Sequence, residues 1–490
     1  ILGRPHEQRR SYEQGYPYEQ GRPHESGGAM KRTLEDAATA VGGRLVGEDH
    51  LYGTVSTDSR TLSAGALFVA LRGPNFDGRD FVAAAAARGA VGAITEDAAP
   101  HALPQIVVAD ALRALQSLGQ AWRREFSIPI VAVAGSNGKT TAKEMTAAIL
   151  ARMGLCLATQ GNLNNHIGVP VTLMRLESSH RSAVIEMGAN RIGDVAELVR
   201  LARPTVGLIT NAGAEHLEGF GNLDGVAQGE GEMVSCLDPG ATGVINADDA
   251  YAGYWSKVAA ARRIITFGVH APADFMAKNS VQTIERGEFV TRFTLECPLG
   301  QRAVTLKAGG AHNIGNALAA AAAASAAGAS LEDIASGLGA FRAVPGRLQL
   351  KAGARDSWII DDSYNANPSS VRAGLEVLRS LPGTTWLVLG DMAELGEFAE
   401  DSHAHMGAYA RDCGVKRMFA LGPQSSRAVE TFGSGGEWFA DADSLTRRLL
   451  AELEPGVTVL IKGSRINRLE RVVQALTGGG GQSGPMMRAS

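Results

Sequence analysis

The sequence has 490 residues, 45% of them hydrophobic, and a formal net charge of −4. A chain of this length exceeds what one hydrophobic core organises, so we expect about two to four domains. The mixed charge argues against a protein that coats nucleic acid, and four cysteines without C-x-x-C spacing argue against a disulfide framework or a zinc site.

Neither membrane insertion nor export is indicated. The stretch from Asn316 to Ala329 comes nearest to a membrane span, but it is short and made of weakly apolar alanine, which predicts a tightly packed helix. The N-terminus has no apolar signal core. We therefore expect a cytoplasmic protein with reduced thiols.

Residues 1–29 differ in composition from the rest of the chain. The pentapeptide GRPHE occurs at Gly3 and at Gly21, and YEQG occurs at Tyr12 and at Tyr18. Such a polar, repetitive stretch cannot bury a core, so we expect a disordered leader, either attached artificially or included from upstream by error. At the other end, the glycine-rich residues 477–490 are expected to form a flexible tail.

Three folded units are predicted between these ends. Short strands such as GALFVAL and alanine-rich helices predict a small α/β domain over residues 30–127. Over residues 128–345, strands such as SAVIEMG, TVGLITN and RIITFG alternate with longer helices, which predicts a parallel sheet covered on both faces. The alternation restarts over residues 346–476 with WIIDDSY, WLVLGDM and VTVLIKGS, so a second α/β domain is expected.

The first chemical signal is the stretch VAVAGSNGKTTAKEM at residues 131–145. An apolar strand, a small-residue turn and a helix starting at Lys139 have the layout of a phosphate-binding loop. The Lys139 ammonium would meet the β- and γ-phosphates, and a threonine hydroxyl would reach Mg²⁺. The alternative is a glycine-rich turn with an exposed lysine. The predicted nucleotide-binding residues of the loop are Gly135, Ser136, Asn137, Gly138, Lys139, Thr140 and Thr141.

The loop departs from the general spacing G-x-x-x-x-G-K-[ST], which asks for glycine where Val133 stands. Eight further motifs follow it in one order: GNLNNHIGVP, EMGAN, TNAGAEHLEGFG, HNIGNALAA, VPGRL, DDSYNANPSS, GDMAELG and IKGSR. Together with GSNGKTT they resemble the ATP-dependent Mur ligases of peptidoglycan synthesis, over about Met30 to Leu476. The shorter G-x-x-G-K-T loop is that family's own form.

The resemblance implies a fold class and a reaction. The fold is α/β, with a small N-terminal domain for a uridine nucleotide, a central P-loop domain with a parallel sheet, and a C-terminal Rossmann-like domain. Most similar are the members that add D-alanyl-D-alanine to UDP-N-acetylmuramoyl-tripeptide, using ATP and Mg²⁺. A substrate carboxylate attacks the γ-phosphate, and the dipeptide amine then attacks the resulting acyl phosphate. Such a monomeric enzyme needs no side-chain nucleophile, and no nucleic acid takes part.

Family motifs also imply roles for single residues. The implied catalytic residues are Lys139, Glu186, His216 and Arg347. The implied metal-binding residues are Thr140, Glu186, His216 and Glu230. Outside the loop, the implied nucleotide contacts are Asn313, Asp362 and Asn365. The implied substrate contacts are Ser59, Arg60, Asn162, Asn164, Asn165, Tyr364, Asn367, Lys462, Ser464 and Arg465.

Each of these roles has a structural alternative. Glu186, which ends the strand SAVIEMG, would otherwise be a capping or surface glutamate, and His216 an ordinary hydrogen-bonding histidine. Asn313 and Asn316 lie where a helix starts and would suit N-capping. The residues around Arg60 and after the strand VTVLIKGS would otherwise be polar turns.

One position departs from the family pattern. Mur ligases usually carry a lysine in the helix after the histidine motif, and its carbamate helps to bind a second Mg²⁺. The corresponding stretch here is VAQGEGEM, with Glu230 at the lysine position. We consider two interpretations: Glu230 supplies the negative charge without modification, or it is a solvated helical glutamate.

Alternative functions remain at this stage. Within the same fold, the ligase that adds the third peptide residue is the nearest rival, although its signature DNPR is absent, and folylpolyglutamate synthase is more distant. From another class, a nucleotide-switched binding protein would also use a phosphate loop. The sequence does not indicate whether the third residue of the peptide is diaminopimelate or lysine.

Overall fold

The computed structural model describes residues 32–98, 103–260 and 262–478. The predicted leader at residues 1–29 and nearly all of the predicted tail, residues 479–490, lie outside the described residues. Within the described part, we find no helix with the length and apolar character that crossing a membrane requires.

The first unit is built on a small five-stranded sheet. The strands of this unit are Arg32–Thr33 (β1), Arg44–Val46 (β2), Leu51–Tyr52 (β3), Thr54–Ser56 (β4), Ala66–Val69 (β5), Arg72–Gly73 (β6), Phe76–Asp77 (β7), Gly92–Thr95 (β8) and Gln105–Val107 (β9). Four of them form two separate pairs, β1 with β3 and β6 with β7. Its helices are Leu34–Val41 (α1), Val82–Ala87 (α2) and Ala111–Arg123 (α3). The sheet has the order β2-β9-β8-β5-β4, parallel except for β2.

The second unit contains a nine-stranded sheet. Its strands are Ile130–Ala134 (β10), Cys156–Ala158 (β11), Ser182–Glu186 (β12), Val206–Ile209 (β13), Thr242–Asn246 (β14), Arg263–Gly268 (β15), Phe275–Glu285 (β16), Glu288–Cys297 (β17) and Gly300–Leu306 (β18). Its helices are Lys139–Leu150 (α4), Gly168–Leu173 (α5), Asp194–Ala202 (α6), Leu217–Phe220 (α7), Leu223–Ser235 (α8), Ala252–Val258 (α9), Ala311–Ala326 (α10) and Leu331–Ala340 (α11). The order is β11-β12-β10-β13-β14-β15-β16-β17-β18.

Helices cover both faces of the parallel part of this sheet, as predicted. Successive side chains of a strand point to opposite faces, so Val131 and Val133 enter one core while Ile130 and Ala132 enter the other. The alanine-rich helix α10 packs against α4 in the first of these cores, and residues 317–324 are fully buried. Small side chains allow this close packing, which confirms the prediction for that stretch.

The antiparallel extension formed by β16, β17 and β18 was not predicted. Much of β16 is exposed, so its sequence lacks the continuous apolar run that marked the buried strands. At the tip of the β16–β17 hairpin, Ile284 and the buried Phe289 pack into a core of the third unit, and Gly287 lies against the ring of Trp358. The hairpin therefore connects two units of the molecule.

The third unit has a six-stranded sheet. Its strands are Gln349–Ala352 (β19), Trp358–Asp362 (β20), Thr385–Gly390 (β21), Arg417–Leu421 (β22), Gly436–Phe439 (β23) and Thr458–Lys462 (β24). Its helices are Pro368–Arg379 (α12), Ala399–Asp412 (α13), Ser426–Phe432 (α14), Ala442–Glu452 (α15) and Glu470–Thr477 (α16). The order β19-β20-β24-β21-β22-β23 is parallel except for the edge strand β19. The predicted Rossmann-like sheet is confirmed.

Candidate active site

The loop between β10 and α4 is shaped by two glycines in the left-handed region. A Cβ on Gly135 (φ 122°) would lie 2.1 Å from Thr210 Oγ1, and one on Gly138 (φ 81°) would lie 2.2 Å from Asn316 Oδ1. Gly138 precedes α4 and supplies no side-chain cap. The side chain of an N-cap residue therefore does not occupy the first N–H groups of the helix, as a phosphate site requires. Val133 is a buried residue inside β10, so the turn starts after it.

Lys139 folds back over this loop. Its Nζ donates to the carbonyl oxygens of Gly135 (2.5 Å) and Ser136 (3.1 Å) and forms an ion pair with Glu215 Oε1 at 3.0 Å. Only 15% of its side chain is exposed, which excludes the exposed-lysine alternative. Burial alone would lower the pKa of Lys139, but the carboxylates of Glu215 and Glu230 outweigh it, so the pKa is raised and the side chain is cationic.

Glu215 is a site residue that the sequence interpretation missed. It contacts Lys139, lies 3.3 Å from His216 Nε2 and accepts a 3.3 Å hydrogen bond from Asn367 Nδ2. Burial would raise the pKa of Glu215, but Lys139 and His216 lower it overall, so the carboxylate is ionised. The available signal was its position next to His216 in a motif that follows a buried strand.

Both ring nitrogens of His216 are close to carboxylates. Nε2 faces Glu215, and Nδ1 lies 2.7 Å from Glu394 Oε2 of the third unit. Burial lowers the pKa of His216, but the two glutamates raise it overall. His216 also has a φ of 50°, a sparsely populated conformation for a non-glycine residue. Its role as a metal ligand stays a prediction, and would require a carboxylate to leave the ring.

Glu186 ends β12 and is 3% exposed. Its Oε1 accepts a 2.9 Å hydrogen bond from Asn164 Nδ2, its own N–H donates to Thr159 Oγ1, and its Oε2 has no hydrogen-bond partner. The surface-glutamate alternative is therefore wrong. Of the other predicted asparagines, Asn165 accepts hydrogen bonds from the N–H groups of Ile167 and Gly168 through its side-chain oxygen, and Asn162 is exposed.

Glu230 points into the protein from α8. It is 4% exposed, and its Oε2 also lacks a hydrogen-bond partner. Burial raises the pKa of Glu230 to about 7, with Lys139 acting in the opposite direction and Glu215 in the same one. A solvated helical glutamate is thus excluded, and the residue belongs to the charged cluster around Lys139.

These carboxylates fit a magnesium ion. Among the residues that the structure describes, no three His, Cys, Asp or Glu side chains group as a ligand set. Mg²⁺ commonly takes only one or two carboxylates and completes its shell with water and phosphate oxygens. Glu186 Oε2 and Glu230 Oε2 are buried carboxylate oxygens without a partner, and Thr140 lies in the first turn of α4.

The third unit docks directly on the phosphate loop. Asn367 is the N-cap of α12, and its Nδ2 donates to Asn137 Oδ1 at 2.9 Å. In return, Asn137 Nδ2 donates to Ser369 Oγ at 3.0 Å. The N-terminus of a twelve-residue helix therefore faces the same space as the start of α4, and both favour anions.

A cavity of about 430 Å³ lies between the second and third units, next to the loop. Residues from both units line it, among them Asn246, Asp248, Phe267, His270, Asn313, Asn316, Arg347, Asp362, Ser369 and Lys462. Asn313, Arg347, Asp362 and Lys462 were predicted. Asp248 was missed; its carboxylate accepts hydrogen bonds from the backbone N–H groups of Val269, His270 and Ala271 and so fixes one wall.

Asp362 and Lys462, at the ends of neighbouring strands, form an ion pair at the cavity. Lys462 Nζ lies 2.7 Å from Asp362 Oδ2 and donates to the carbonyl oxygen of Asn365 at 2.9 Å. Burial lowers the pKa of Lys462, although Asp362 opposes this. The surface-turn alternative does not hold for Lys462, which is 3% exposed, whereas the side chain of Asn365 is exposed.

Tyr364 lies beside two arginines. The guanidinium carbon of Arg347 is 4.3 Å from the ring centroid, and that of Arg465 is 5.4 Å from it. Ser464 precedes Arg465, and its hydroxyl donates to Ala366 O and accepts from Ala393 N–H. Ser464 therefore holds loops of the third unit together.

Ser59 and Arg60 lie in the first unit and do not line the cavity. Ser59 is 8% exposed, whereas Arg60 is exposed and makes a two-pronged ion pair with Asp58. Their proposed contact with a uridine nucleotide stays a prediction.

Comparison with known proteins gives matches along the chain. Residues 52–134 match the Mur ligase family, catalytic domain; residues 133–324 the Mur ligase middle domain; and residues 346–465 the Mur ligase, glutamate ligase domain. The chain is 43% identical over 447 residues to UDP-N-acetylmuramoyl-tripeptide–D-alanyl-D-alanine ligase of Escherichia coli (strain K12), which covers 91% of this chain and 98% of that protein.

Solved structures agree with these matches. MurF from Acinetobacter baumannii aligns with a TM-score of 0.86 and 32% identity, over 92% of this chain and 99% of that one. MurF ligase from Thermotoga maritima in complex with ADP aligns with a TM-score of 0.76 and 26% identity, over 87% of this chain and 97% of that one.

Proposed function

The chain belongs to the Mur ligase family, and we propose that it joins D-alanyl-D-alanine to UDP-N-acetylmuramoyl-tripeptide with hydrolysis of ATP to ADP and phosphate. The observation that carries this proposal is the agreement over nearly the whole chain with a relative of that activity. The docking of α12 on the phosphate loop also supports the proposal. A ligase of this kind must bring residues of the second and third units together around the phosphoryl group that is transferred.

We assign the nucleotide to the cavity beside the loop. The N–H groups at the start of α4 and the Lys139 ammonium hold the β- and γ-phosphates, and Asn313 contacts the base or ribose from α10. Arg347 also lines this cavity and neutralises charge that develops on the transferred phosphoryl group. That the Thermotoga maritima relative is in complex with ADP supports the binding of an adenine nucleotide.

The reaction then needs positioning more than side-chain chemistry. A carboxylate oxygen of the tripeptide attacks the γ-phosphorus, and the bond to the ADP oxygen breaks. The dipeptide amine attacks the carbonyl carbon of the acyl phosphate, phosphate leaves, and the nitrogen loses a proton. Asn164 and Asn367 hold the reacting groups near the loop, since each is hydrogen-bonded to a residue of the phosphate site.

Glu186, Glu230 and Thr140 would hold Mg²⁺, with His216 as a further ligand if its carboxylate partner moves. The ion would neutralise the negative charge of the phosphates. Glu230 contributes its carboxylate without modification, and its burial beside Lys139 supports this.

The remaining assignments concern the whole chain. We propose domains at residues 30–127, 128–345 and 346–476; the five-, nine- and six-stranded sheets lie within these limits. The first domain binds the uridine nucleotide through Ser59 and Arg60. The enzyme works as a monomer in the cytoplasm, where ATP and nucleotide-linked precursors are available.

An assay with the purified full chain tests this function. ATP, Mg²⁺, D-alanyl-D-alanine and UDP-N-acetylmuramoyl-tripeptide are supplied together, and phosphate and the nucleotide-linked pentapeptide are measured. We expect one phosphate per pentapeptide and no product when either acceptor or donor is left out. The two tripeptides, with diaminopimelate or lysine, are compared in parallel.

Other outcomes would point to the alternatives. Product from UDP-N-acetylmuramoyl-dipeptide and diaminopimelate or lysine would indicate the ligase that adds the third residue. Phosphate release that ignores both substrates would indicate a nucleotide-switched binding protein.

A further inference from the structure

The turn at residues 308–310 leads directly into the wall of the nucleotide cavity. Ala308 lines this cavity, and so does Asn313 in the first turn of α10. The N-cap of the helix is Gly310, which has a φ of 89° and no side chain with which to cap it. The placement of the first turn of α10 therefore depends on what neighbouring elements contribute.

Two side chains of the β16–β17 hairpin bind this turn. Gln282 Oε1 accepts a hydrogen bond from the Gly310 N–H, and Thr291 Oγ1 donates to the Ala308 carbonyl oxygen at 2.7 Å. In a capping box, the third residue of the helix accepts the N–H of the N-cap residue. In α10 that third residue is Asn313, but Gln282 is the acceptor, so another element supplies what the helix lacks.

The side-chain amide of Asn313 is used differently. Its Nδ2 donates to the Gly309 carbonyl oxygen at 2.7 Å, and its Oδ1 accepts from Asn316 Nδ2 at 3.0 Å. Asn316 in turn lies against the phosphate loop, since a Cβ on Gly138 would lie 2.2 Å from Asn316 Oδ1. A continuous series of contacts therefore runs from the hairpin, through the turn, to the residues that face the nucleotide.

The third unit encloses the same turn. Phe289 belongs to a core of the third unit and packs over Gly309, where a Cβ would lie 2.7 Å from its ring. Val377 of α12 approaches Gly310, where a Cβ would lie 2.8 Å from Val377 Cγ2. Both glycines are buried. A backbone N–H that lost its acceptor at this place would be costly, because it would be left buried and unsatisfied.

We propose that Gln282 is a positioning residue for the nucleotide: by accepting the Gly310 N–H, it holds the first turn of α10, and with it Asn313, in the arrangement that receives ATP. The inference rests on the proposed function and adds a residue that does not itself line the cavity. Because the effect of Gln282 on ATP passes through the turn, it is expressed in binding and not in the chemical step.

Binding of magnesium ADP to the full chain, measured by calorimetry, is the first test. Gln282→Leu keeps the approximate volume of the side chain and removes the acceptor. We expect its Kd to rise about 5- to 30-fold, because part of the binding free energy is then used to reorder the turn. Gln282→Glu retains an acceptor oxygen and should stay within about threefold of the parent Kd. Gln301→Leu, the same change at an exposed position of β18, is the matched control.

Kinetics separate positioning from a general loss of structure. The ATP KM of Gln282→Leu should rise by the same factor as the Kd, whereas kcat and the KM for D-alanyl-D-alanine should stay within about twofold of the parent values. A variant that only folded less completely would lose kcat and keep its KM values. Hydrogen exchange of residues 308–316 should be faster in Gln282→Leu than in the parent without nucleotide, and slow again with ADP bound.

The outcomes are distinct. Equal ADP affinity in the parent and in Gln282→Leu would overturn the inference, and so would an equal loss of affinity in Gln282→Glu or in Gln301→Leu. If the parent binds ADP but forms no pentapeptide, the ligase function fails, while the role of Gln282 is still decided by the binding data. If the parent binds no ADP, both are wrong.

Discussion

Buried charge at single residues defines the chemistry of this site. Lys139 is surrounded by Glu215 and Glu230 and still bonds to the carbonyl groups of its own loop. A cation held in this way is available to phosphate without a large rearrangement, because its position is already fixed by the loop.

Replacing Lys139 by alanine should therefore lower kcat by about 10²- to 10³-fold, the usual cost of one preorganised charge-stabilising group. Phosphate release coupled to pentapeptide formation is the readout. Lys278→Ala, at an exposed position of β16, is the matched control and should be fully active. Coupled product formation at the parental rate in Lys139→Ala would rule out the proposed phosphate site.

Glu230→Gln keeps the size of the side chain and removes its charge. We expect the Mg²⁺ concentration for half-maximal activity to rise about 10- to 100-fold, as for loss of a group that tunes metal binding. Mn²⁺ binding followed by spectroscopy in the presence of ADP should weaken in parallel. Added bicarbonate should not change the activity of the parent enzyme, and Glu48→Gln, whose side chain is 88% exposed, should behave like the parent. A strong bicarbonate requirement would contradict an unmodified carboxylate.

His403 gives a prediction for stability against pH. It is fully buried; its Nε2 accepts from Met392 N–H at 2.9 Å, and Nδ1 lies 2.7 Å from Ala399 O. Burial lowers the pKa of His403 below its ordinary value of 6.5, although Ala399 and Asp391 oppose this. Below pH 6.5 the unfolded chain therefore binds a proton at His403 while the folded chain does not. The free energy of unfolding should fall as the pH drops through 6.5 towards the pKa of the folded state.

The measurement is urea unfolding between pH 8 and pH 5.5, using a probe in the third unit. His403→Gln should be about 1–3 kcal/mol less stable at pH 8, because buried hydrogen bonds are lost, and should show a shallower decline towards acid. His405→Gln, at an exposed position of the same helix, should keep the parental slope. If the free energy of unfolding declined equally steeply with pH in the parent and in His403→Gln, His403 would not be the cause of the acid destabilisation.

At the level of elements, the β16–β17 hairpin joins two cores. Phe289→Ala should destabilise the third unit by about 3–5 kcal/mol, since a buried ring is removed from a packed core. Val281→Ala lies on the same hairpin at a position that is 60% exposed and should change stability by less than about 0.5 kcal/mol. Differential scanning calorimetry of both variants checks this. Similar melting temperatures for Phe289→Ala and Val281→Ala would mean that burial of the hairpin tip does not stabilise the third unit.

The sequence predicted those elements whose signals are local. Buried parallel strands such as Ser182–Glu186 and Thr458–Lys462 are continuous apolar runs, and the phosphate loop has its own spacing. The Phe275–Glu285 strand was missed because four consecutive residues, 278–281, are exposed and a bulge interrupts its pairing there. Nothing in its sequence states that its tip enters another core.

The same distinction holds in the site. Glu186 ends a strand and Lys139 starts a helix, so their positions could be predicted, whereas their environments could not. Glu215 belongs to the site because Lys139, 76 positions earlier in the chain, contacts it. Asp248 belongs to the site because it binds the backbone of a loop about twenty residues later. Such contacts depend on the folded chain, and only the motif order of the family brought some of them into view.

At the scale of the whole molecule, the second and third units meet in two ways: the β16–β17 tip packs into an apolar core, and polar contacts join the units around the phosphate loop. The pairs Asn137–Asn367, Asn137–Ser369 and His216–Glu394 cross this junction. Polar contacts of this kind are exchanged for water at little cost, so we expect the part of the junction around the phosphate loop to open and close with ligand.

Glu394→Gln tests the closed arrangement. The Glu394 side chain is 59% exposed, and an exposed ion pair contributes at most about 1 kcal/mol, so KM values should rise by no more than about fivefold. Small-angle scattering should show a larger radius of gyration for the variant without ligand, and the same radius as the parent with a non-hydrolysable ATP analogue. Glu397→Gln, also exposed, serves as the control. An unchanged radius without ligand would mean that this pair does not hold the units together.

The length of the β16–β17 arm has a consequence for how this enzyme tolerates insertions and deletions. Removing two residues from each strand would preserve the inside–outside alternation but would withdraw Phe289 by about 7 Å, out of the core that it shares with Leu348. The length of the arm thus sets the distance between the edge of the nine-stranded sheet and the core of the third unit. Its residue types are free to drift at the many solvent-facing positions, whereas its size is not.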